Sequence, residues 1–575
     1  MATRLKFLKK HAQIILIWFL VLTFIAFAGL TLAGIRSDNT LQPYNVFSAR
    51  RFYEYRLIMT QYPPTAFIKD SFRKAQTGIQ GNTEETVSQD QWIAAVKHKA
   101  IFDFLFSSAL SAVFMASVLT ILFKKDIARK DEKFLRGTSL VSPQRINSSI
   151  KNYRIIFGKE KVRFPINFEN MGMFLFGSPG SGKSTFLKHL IPQITGDPAV
   201  IYDRKPEFYP LFFEQGRDLL LDPKDERTIR WNIFQEIEEK EDIDNIVSSM
   251  IPLPADPKAA FWYQAARDIF HAILTLLWET GKASNKTLID FLYVNGCNRE
   301  KLYNILKHDP RVEGYIAKDN NTANSIMSVV SQFSNALVQR HFYHDGDFSI
   351  REFIRNGSGR LFVVNRNATE EAFKAYYTLF LDLAFREFLN RQINRNFRFW
   401  FIIDEFPSLM KLETLQRLLA EGRDRGSCPV IGAQDFEQLK KTYGQDAYSI
   451  FNQTNTKVIF RIGEPITTEY LSRAFGEQEI IQQVKTLSAG ARSIRDGYNF
   501  SEQQKIRRII LPSEIKGLED LTGYVSIGEY PVTQISLDIF TQPNRNSMIP
   551  RNIPEIAIEK KQKQDTGEDL DELLK

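Results

Sequence analysis

Two long apolar runs open the chain and short ones recur through the rest of it. From His11 to Ile35 it reads HAQIILIWFLVLTFIAFAGLTLAGI without an acid, lysine or arginine, and a second uncharged run, FLFSSALSAVFMASVLTILF, fills Phe104 to Phe123. At about 1.5 Å per helical residue, each is long enough to cross a hydrocarbon core of roughly 30 Å. Beyond residue 125 the pattern changes. Short apolar stretches, Met171–Phe176 (MGMFLF), Ala199–Asp203 (AVIYD), Leu361–Asn365 (LFVVN), Arg398–Glu405 (RFWFIIDE), Pro429–Ala433 (PVIGA) and Lys457–Ile462 (KVIFRI), alternate with helical or loop segments. Runs of that kind, apolar on both faces and interleaved with helices, predict a parallel sheet covered on both sides.

A helical tract from about Asp242 to Tyr343 interrupts this alternation. It contains FWYQAARDIFHAILTLLW, apolar at helical spacing, and is too long for a connection within the sheet, so an inserted all-α domain is expected. After the strand-rich Gly523–Phe540 come a Pro- and Asn-rich linker, TQPNRNSMIPRNIP, and a charged end, EIAIEKKQKQDTGEDLDELLK, with Leu570, Leu573 and Leu574 on one face if helical. The expected division is an anchor at 1–125, with spans at about 11–35 and 104–123 around an outer segment of about 36–99. A nucleotide-binding α/β domain at 126–241 and 344–545, the insert at 242–343 and a tail at 546–575 complete it.

Charge fixes the orientation of the spans. Arg4, Lys6, Lys9 and Lys10 precede the first, and Lys124, Lys125, Arg129, Lys130 and Lys133 follow the second, so the positive-inside bias places both ends in the cytoplasm. Ala26-Phe27-Ala28 has the look of a signal-peptide cleavage site, but the apolar run continues past it and a second span follows, which favours an anchor. The net charge of +8 is compatible with a polyanionic partner, although the basic flanks of the spans contribute to it. With 43% apolar content over 575 residues the chain is neither disordered nor fibrous. Its two cysteines, Cys297 and Cys428, lack metal-ligand spacing and suggest a reducing compartment.

The chemistry begins at FLFGSPGSGKSTFL. Gly177, Ser178, Pro179, Gly180, Ser181, Gly182, Lys183, Ser184 and Thr185 follow a predicted strand and open a predicted helix, the setting a phosphate loop requires. Glycines let backbone amides turn toward phosphates, the helix start adds its positive end, Lys183 reaches the outer phosphates and Ser184 ligates Mg2+. The strand RFWFIIDE ends in the matching carboxylates: Asp404 to hold the magnesium shell and Glu405 to polarise an attacking water. Gln434, at the end of another strand, stands where it could sense a γ-phosphate or simply cap the strand.

The segment Leu487-Ser488-Ala489-Gly490 faintly echoes an ABC-transporter signature, but in that class the signature precedes the acidic strand and here it follows Glu405. Kinases and small GTPases leave the spans and the insert without a role. GSPGSGKS, VIYDRKPEF, LDPKDERTIRWNIF, FWYQAARDIF, FIIDEFPSL, LLAEGRDRGSCPVIGAQDFEQL and NTKVIFRIGEP, in that order, resemble the type IV secretion coupling proteins of the TraD and TrwB kind, with Asp222–Phe234 and Leu418–Leu439 most like the TraD branch. The resemblance covers nearly the whole chain. It implies a RecA-like P-loop ATPase, assembled as a membrane-anchored homo-hexamer in the cell inner membrane, that uses ATP and Mg2+ to drive DNA transfer. Its implied partners are DNA bound without sequence preference, relaxase and relaxosome proteins, and components of the secretion channel. It assigns Lys183, Asp404 and Glu405 to the catalytic site, Arg423 to the position that reaches the neighbouring subunit's nucleotide, and Gln434 to sensing; Arg425 competes for the trans role. An FtsK-like translocase and an ATP-gated platform for protein effectors are the alternatives. No basic run with interleaved aromatics nominates a DNA-gripping loop.

Overall fold

The short apolar runs beyond residue 125 become strands of one ten-stranded sheet. The computed structural model describes residues 21, 23–25, 101, 105–109, 111–113, 132–254, 256–295, 298–316, 321–344, 346–367, 370–488 and 497–552. Its strands are β1 (Glu132–Gly137), β2 (Leu140–Val141), β3 (Tyr153–Phe157), β4 (Val162–Pro165), β5 (Met173–Phe176), β6 (Ala199–Arg204), β7 (Leu219–Leu221), β8 (Arg360–Asn365), β9 (Phe399–Ile403), β10 (Ser427–Ala433), β11 (Thr456–Ile459), β12 (Glu477–Ser488), β13 (Gly497–Arg508), β14 (Thr522–Ile527) and β15 (Val532–Ser536).

The large sheet runs β2-β15-β14-β11-β5-β10-β9-β6-β8-β7. From β11 to β7 every pairing is parallel, and β14 and β15 extend it antiparallel. Side chains alternate between two cores, as strand pleating demands. Phe174, Phe176, Phe401 and Ile403 face one; Met173, Leu175, Trp400 and Ile402 face the other. Every residue of β5, β8, β9 and β10 is buried. That burial on both faces is what made these strands legible.

The first core continues without a break into the helical tract. Ile269, Phe270, Ile273 and Leu277 of the helix Pro257–Glu279 pack in one cluster with the sheet face and with Phe380 and Phe385 of the helix Glu370–Leu389. The long helix starts where its sequence says it should: the Asp256 carboxylate accepts from the Lys258 amide and Pro257 fills the first helical position, where a missing N–H costs nothing.

Three features depart from the sequence reading. β11 ends at Ile459, short of the run read to Ile462: the Phe460 amide still donates to the Phe176 carbonyl at 2.8 Å, and the Arg461 carbonyl then turns to accept the Ser178 amide of the neighbouring loop, also at 2.8 Å. Glu477 to Arg508 form a long antiparallel hairpin, β12 with β13, beside β1; Leu487 and Ser488 close β12, and Ala489 and Gly490 lie outside the described residues. Asn546 to Arg551, placed in the tail above, are held on the surface: the Asn546 amide donates to the Pro210 carbonyl at 3.0 Å, the Glu226 amide to Ile549 at 2.9 Å and the Arg551 amide to Lys224 at 2.9 Å. The tail from 553 onward, with its three leucines, lies outside the described residues.

Of the two expected spans, only 21, 23–25, 105–109 and 111–113 are described, all helical; the remainder and the outer segment lie outside the described residues. Among the described residues no helix is long and apolar enough to cross a membrane.

Candidate nucleotide site

β5 ends at Phe176, the helix Lys183–Leu190 begins seven residues on, and the chain between them forms the loop the motif predicted. Gly182 has φ +131°, a left-handed conformation closed to other residues, and a Cβ there would lie 3.1 Å from the Phe460 ring. Neighbouring backbone braces the loop. The Ser178 amide donates to Arg461, the Ser181 hydroxyl to the Ser178 carbonyl at 2.7 Å, and the Leu521 amide to the Ser181 carbonyl at 2.9 Å. Pro179 and Gly180 form its exposed tip, while Ser184 and Thr185 stand half-buried in the first helical turn.

Because β5, β10 and β9 are adjacent and parallel, the residues following each emerge at one edge of the sheet, where open α/β folds hold their ligands. That edge assembles the loop, Gln434 and the Asp404–Glu405 pair. Lys183 Nζ donates to the Gly177 carbonyl at 2.7 Å and stands 3.7 Å from Glu405 Oε2, which also accepts from Gln434 Nε2 at 2.8 Å. Gln434 thus bonds the Glu405 carboxylate directly as well as ending its strand. The close packing of β10 on the acidic turn needs Gly432, where a Cβ would sit 2.0 Å from the Asp404 carbonyl oxygen.

All three charged groups are buried, and two carboxyl oxygens have nothing to bond. Asp404 Oδ1 and Glu405 Oε1 are enclosed and lack hydrogen-bond partners, a costly arrangement unless something else fills it. Burial pushes the Asp404 carboxyl up to about 7 despite Lys183, raises Glu405 likewise, and lowers Lys183 although Glu405 and Asp404 oppose that shift. Each group is held back from its charged form, as titratable groups gathered at functional sites commonly are.

Sequence reasoning missed Asp203 and Arg204, which end β6 at the same edge. Asp203 is buried and accepts the amides of Glu207, Phe208 and Tyr209 at 2.8–2.9 Å; burial raises its carboxyl to about 6. Arg204 pairs with Glu370 at 3.0 Å and adds positive potential at Lys183 and Glu405. The signal was present: AVIYDR, like RFWFIIDE, is an apolar strand ending in charge.

Arg423 lies elsewhere. It follows the helix Leu415–Glu421 and precedes β10, so it stands at the opposite edge of the sheet, and the Asn170 side chain bonds its carbonyl. The seven residues of β10 separate it from Gln434, roughly 20 Å at about 3.3 Å per residue. Its side chain is exposed and has no ion pair or side-chain hydrogen bond among the described residues. Arg425 is committed, its Nε donating to the Arg391 carbonyl at 3.0 Å and its Nη1 to Glu421 at 3.1 Å.

Residues 156–538 match the family described as the type IV secretion-system coupling protein DNA-binding domain. The chain belongs to the type IV secretion-system coupling proteins. Coupling protein TraD of Escherichia coli (strain K12) is 33% identical over 393 residues, 66% of this chain and 54% of TraD, so the chain matches about half the length of that curated relative. The bacterial conjugative coupling protein TrwB, truncated as TrwBdeltaN70 in an unbound monoclinic form, superposes at TM-score 0.65 with 26% identity over 73% of this chain and 97% of TrwB. TrwB in complex with the non-hydrolysable ATP analogue ADPNP gives TM-score 0.64 and 26% identity, over 73% and 98%.

The two edges of the sheet thus carry different groups. One gathers the loop, an ammonium and two buried carboxylates; the other presents the exposed guanidinium of Arg423.

Proposed function

We propose that this chain is an oligomeric ATPase that couples hydrolysis to the transfer of DNA and its bound proteins through a type IV secretion channel. One observation carries the reading: the edge with the phosphate-loop motif has buried carboxyl oxygens without partners, and Arg423, exposed and without a side-chain partner among the described residues, stands on the opposite edge of the same chain. A site so divided is completed by a second copy. The homo-hexamer in the inner membrane that the resemblance implies, anchored by the spans at 11–35 and 104–123 with the ATPase part in the cytoplasm, accords with that need.

The residues then divide the chemistry. Loop amides from Gly180 to Ser184 and the Lys183 ammonium hold the phosphates, Lys183 exchanging the Gly177 carbonyl for a phosphate oxygen. The orphaned Asp404 Oδ1 and the Ser184 hydroxyl fit magnesium, which when bound supplies positive charge to the phosphate oxygens. Glu405, oriented by Gln434, takes a proton from the attacking water. Arg423 of one subunit stabilises the transition-state charge in the next, a contribution of about 10³ or more in kcat. DNA is held through its phosphates, independently of sequence and sensitively to salt. Relaxosome proteins and inner-membrane channel components are the remaining partners.

The test is the ATPase rate of the full-length protein in detergent against protein concentration, with and without single- and double-stranded DNA of unrelated sequences. We expect a steep rise with concentration, further stimulation by any DNA, and at least a hundredfold loss in Lys183→Ala, roughly the cost of removing one preorganised charge partner. A rate strictly proportional to concentration would overturn the shared site. Indifference to DNA would point instead to an ATP-gated recruitment platform for protein effectors.

A further inference from the structure

We propose that Asp382 is a positioning residue for the arginine offered to the neighbouring subunit, acting through Thr414 at the head of the helix that leads to Arg423; the proposal rests on the shared-site reading above. Asp382 lies in the middle of the helix Glu370–Leu389, fully buried at 0% exposure. Its Oδ1 accepts the Thr414 amide at 2.7 Å, and its Oδ2 accepts the Thr414 hydroxyl at 3.0 Å, the Ser249 hydroxyl at 2.5 Å and Arg386 Nε at 3.1 Å. A buried carboxylate with four donors is fixed in place.

The use of Thr414 is telling. It is the N-cap of the helix Leu415–Glu421, a position where a threonine hydroxyl ordinarily accepts from its own helix's first amides. Here it makes no such cap and is turned to Asp382 instead. The start of the helix is therefore set by a residue on another element, and its end, through buried Gly422, delivers Arg423.

The other end of the path begins in the subunit's own site. From Glu405 the chain reaches Thr414 in nine residues, pinned at each step: the Ser408 hydroxyl donates to the Glu405 carbonyl at 2.6 Å, the Met410 amide to Thr378 Oγ1 at 2.9 Å, and the Leu412 amide to the Tyr443 hydroxyl at 2.9 Å. Thr378 and Asp382 stand one helical turn apart on one face of the same helix, so one helix edge holds the segment at both Met410 and Thr414. Ser249 belongs to the helix Lys240–Met250, and Arg386 also bonds Asn245 and Ser248 there, at 3.1 and 3.0 Å. The carboxylate of Asp382 thus ties the helix Lys240–Met250 to Thr414, the point where the segment from the acidic turn ends and the helix leading to Arg423 begins.

The experiment measures kcat and KM for ATP of the assembled full-length protein for Asp382→Asn, Arg423→Ala and the double variant. Asp382→Asn keeps the volume but replaces an acceptor oxygen with a donor. It should lower kcat between about ten- and a hundredfold, the cost of a misplaced catalytic group, with KM unchanged. Because Asp382 acts through Arg423, the double variant should match Arg423→Ala alone within about twofold. A multiplicative double variant, or a rise in KM with kcat intact, would overturn the proposal. Loss of activity in Arg423→Ala with full activity in Asp382→Asn would overturn it and leave the shared site standing; full activity in Arg423→Ala would overturn it together with Arg423's place in the shared site. Should Asp382→Asn fail to unfold cooperatively, Thr414→Val, which deletes the hydroxyl bond and keeps the backbone one, takes its place in the cycle, and the same kinetic outcomes support or overturn the proposal.

Discussion

Two buried aspartates sit at opposite edges of one sheet and have opposite fates. Asp218 precedes β7 at the edge where the strands begin; Arg360 opens β8 beside it, and Arg217 and the Glu214 amide complete its shell, so that both carboxylate oxygens take several donors. Burial works against its charge, but the Arg360 and Arg217 hydrogen bonds outweigh burial and hold the carboxyl below its ordinary range. Asp404 follows β9 at the edge where the strands finish, with one carboxyl oxygen lacking a hydrogen-bond partner, and burial wins, pushing it up to about 7. The residue type and the sheet are the same. What differs is whether the protein itself supplies the partners, and the aspartate left unsupplied is the one beside the phosphate loop.

The largest effect that would break this contrast concerns stability. Asp218→Ala strands the Arg360 guanidinium, whose side chain is 1% exposed, and should cost about 3–5 kcal/mol in denaturant unfolding. Asp404→Asn removes a carboxylate that lacked a partner and should leave stability equal or improved near neutral pH while abolishing turnover. If Asp404→Asn destabilised the fold as much as Asp218→Ala, the unpaired oxygen would be structural and the division between the two edges would fail.

The same contrast explains what was legible beforehand. The strands were readable because both faces are buried, and the phosphate loop and RFWFIIDE because a contiguous string carries their chemistry. β12 and β13 were not, since strings such as EQEIIQQVKTLS have no apolar face long enough to demand a sheet. Nor was the Asp218–Arg360 pair, whose members are 142 positions apart, or Asp382, whose partners Thr414 and Ser249 are 32 and 133 positions away. Asp382 within LFLDLAF reads as one polar residue in an apolar helix. Only the fold reveals that it holds another helix by the head.

A smaller effect sharpens the contrast through its sign with pH. A carboxyl raised to about 7 in the fold and near 3.8 unfolded favours the folded state in acid, and that contribution is lost as pH rises through 7. Relative to Asp404→Asn, the wild type should lose at most roughly 1.4 kcal/mol per unit between pH 4 and 7 and then level off. Asp218, held low, has the reverse sign: its contribution is present above about pH 4 and is lost on acidification. Unfolding free energies of wild type and Asp404→Asn compared from pH 5 to 8 check this, and parallel curves would show that Asp404 ionises freely at its buried position.

The smallest effect applies the same rule to two arginines two positions apart. Arg425 donates to the carbonyls of Arg391 and Glu421, and Arg423 donates to no side chain among the described residues. If supplied partners mark structure and missing ones mark chemistry, Arg425→Ala should cost no more than about 1 kcal/mol of stability, the net worth of ordinary hydrogen bonds, and should leave kcat within about threefold of wild type. Arg423→Ala should do the opposite, leaving unfolding unchanged while hydrolysis in the assembled protein collapses. Activity falling on Arg425→Ala with Arg423→Ala silent would mean that the 3₁₀ turn Gly422–Arg425 rearranges on assembly and exchanges the two guanidinium groups. The two carbonyls that Arg425 now caps would then be released as it swings out.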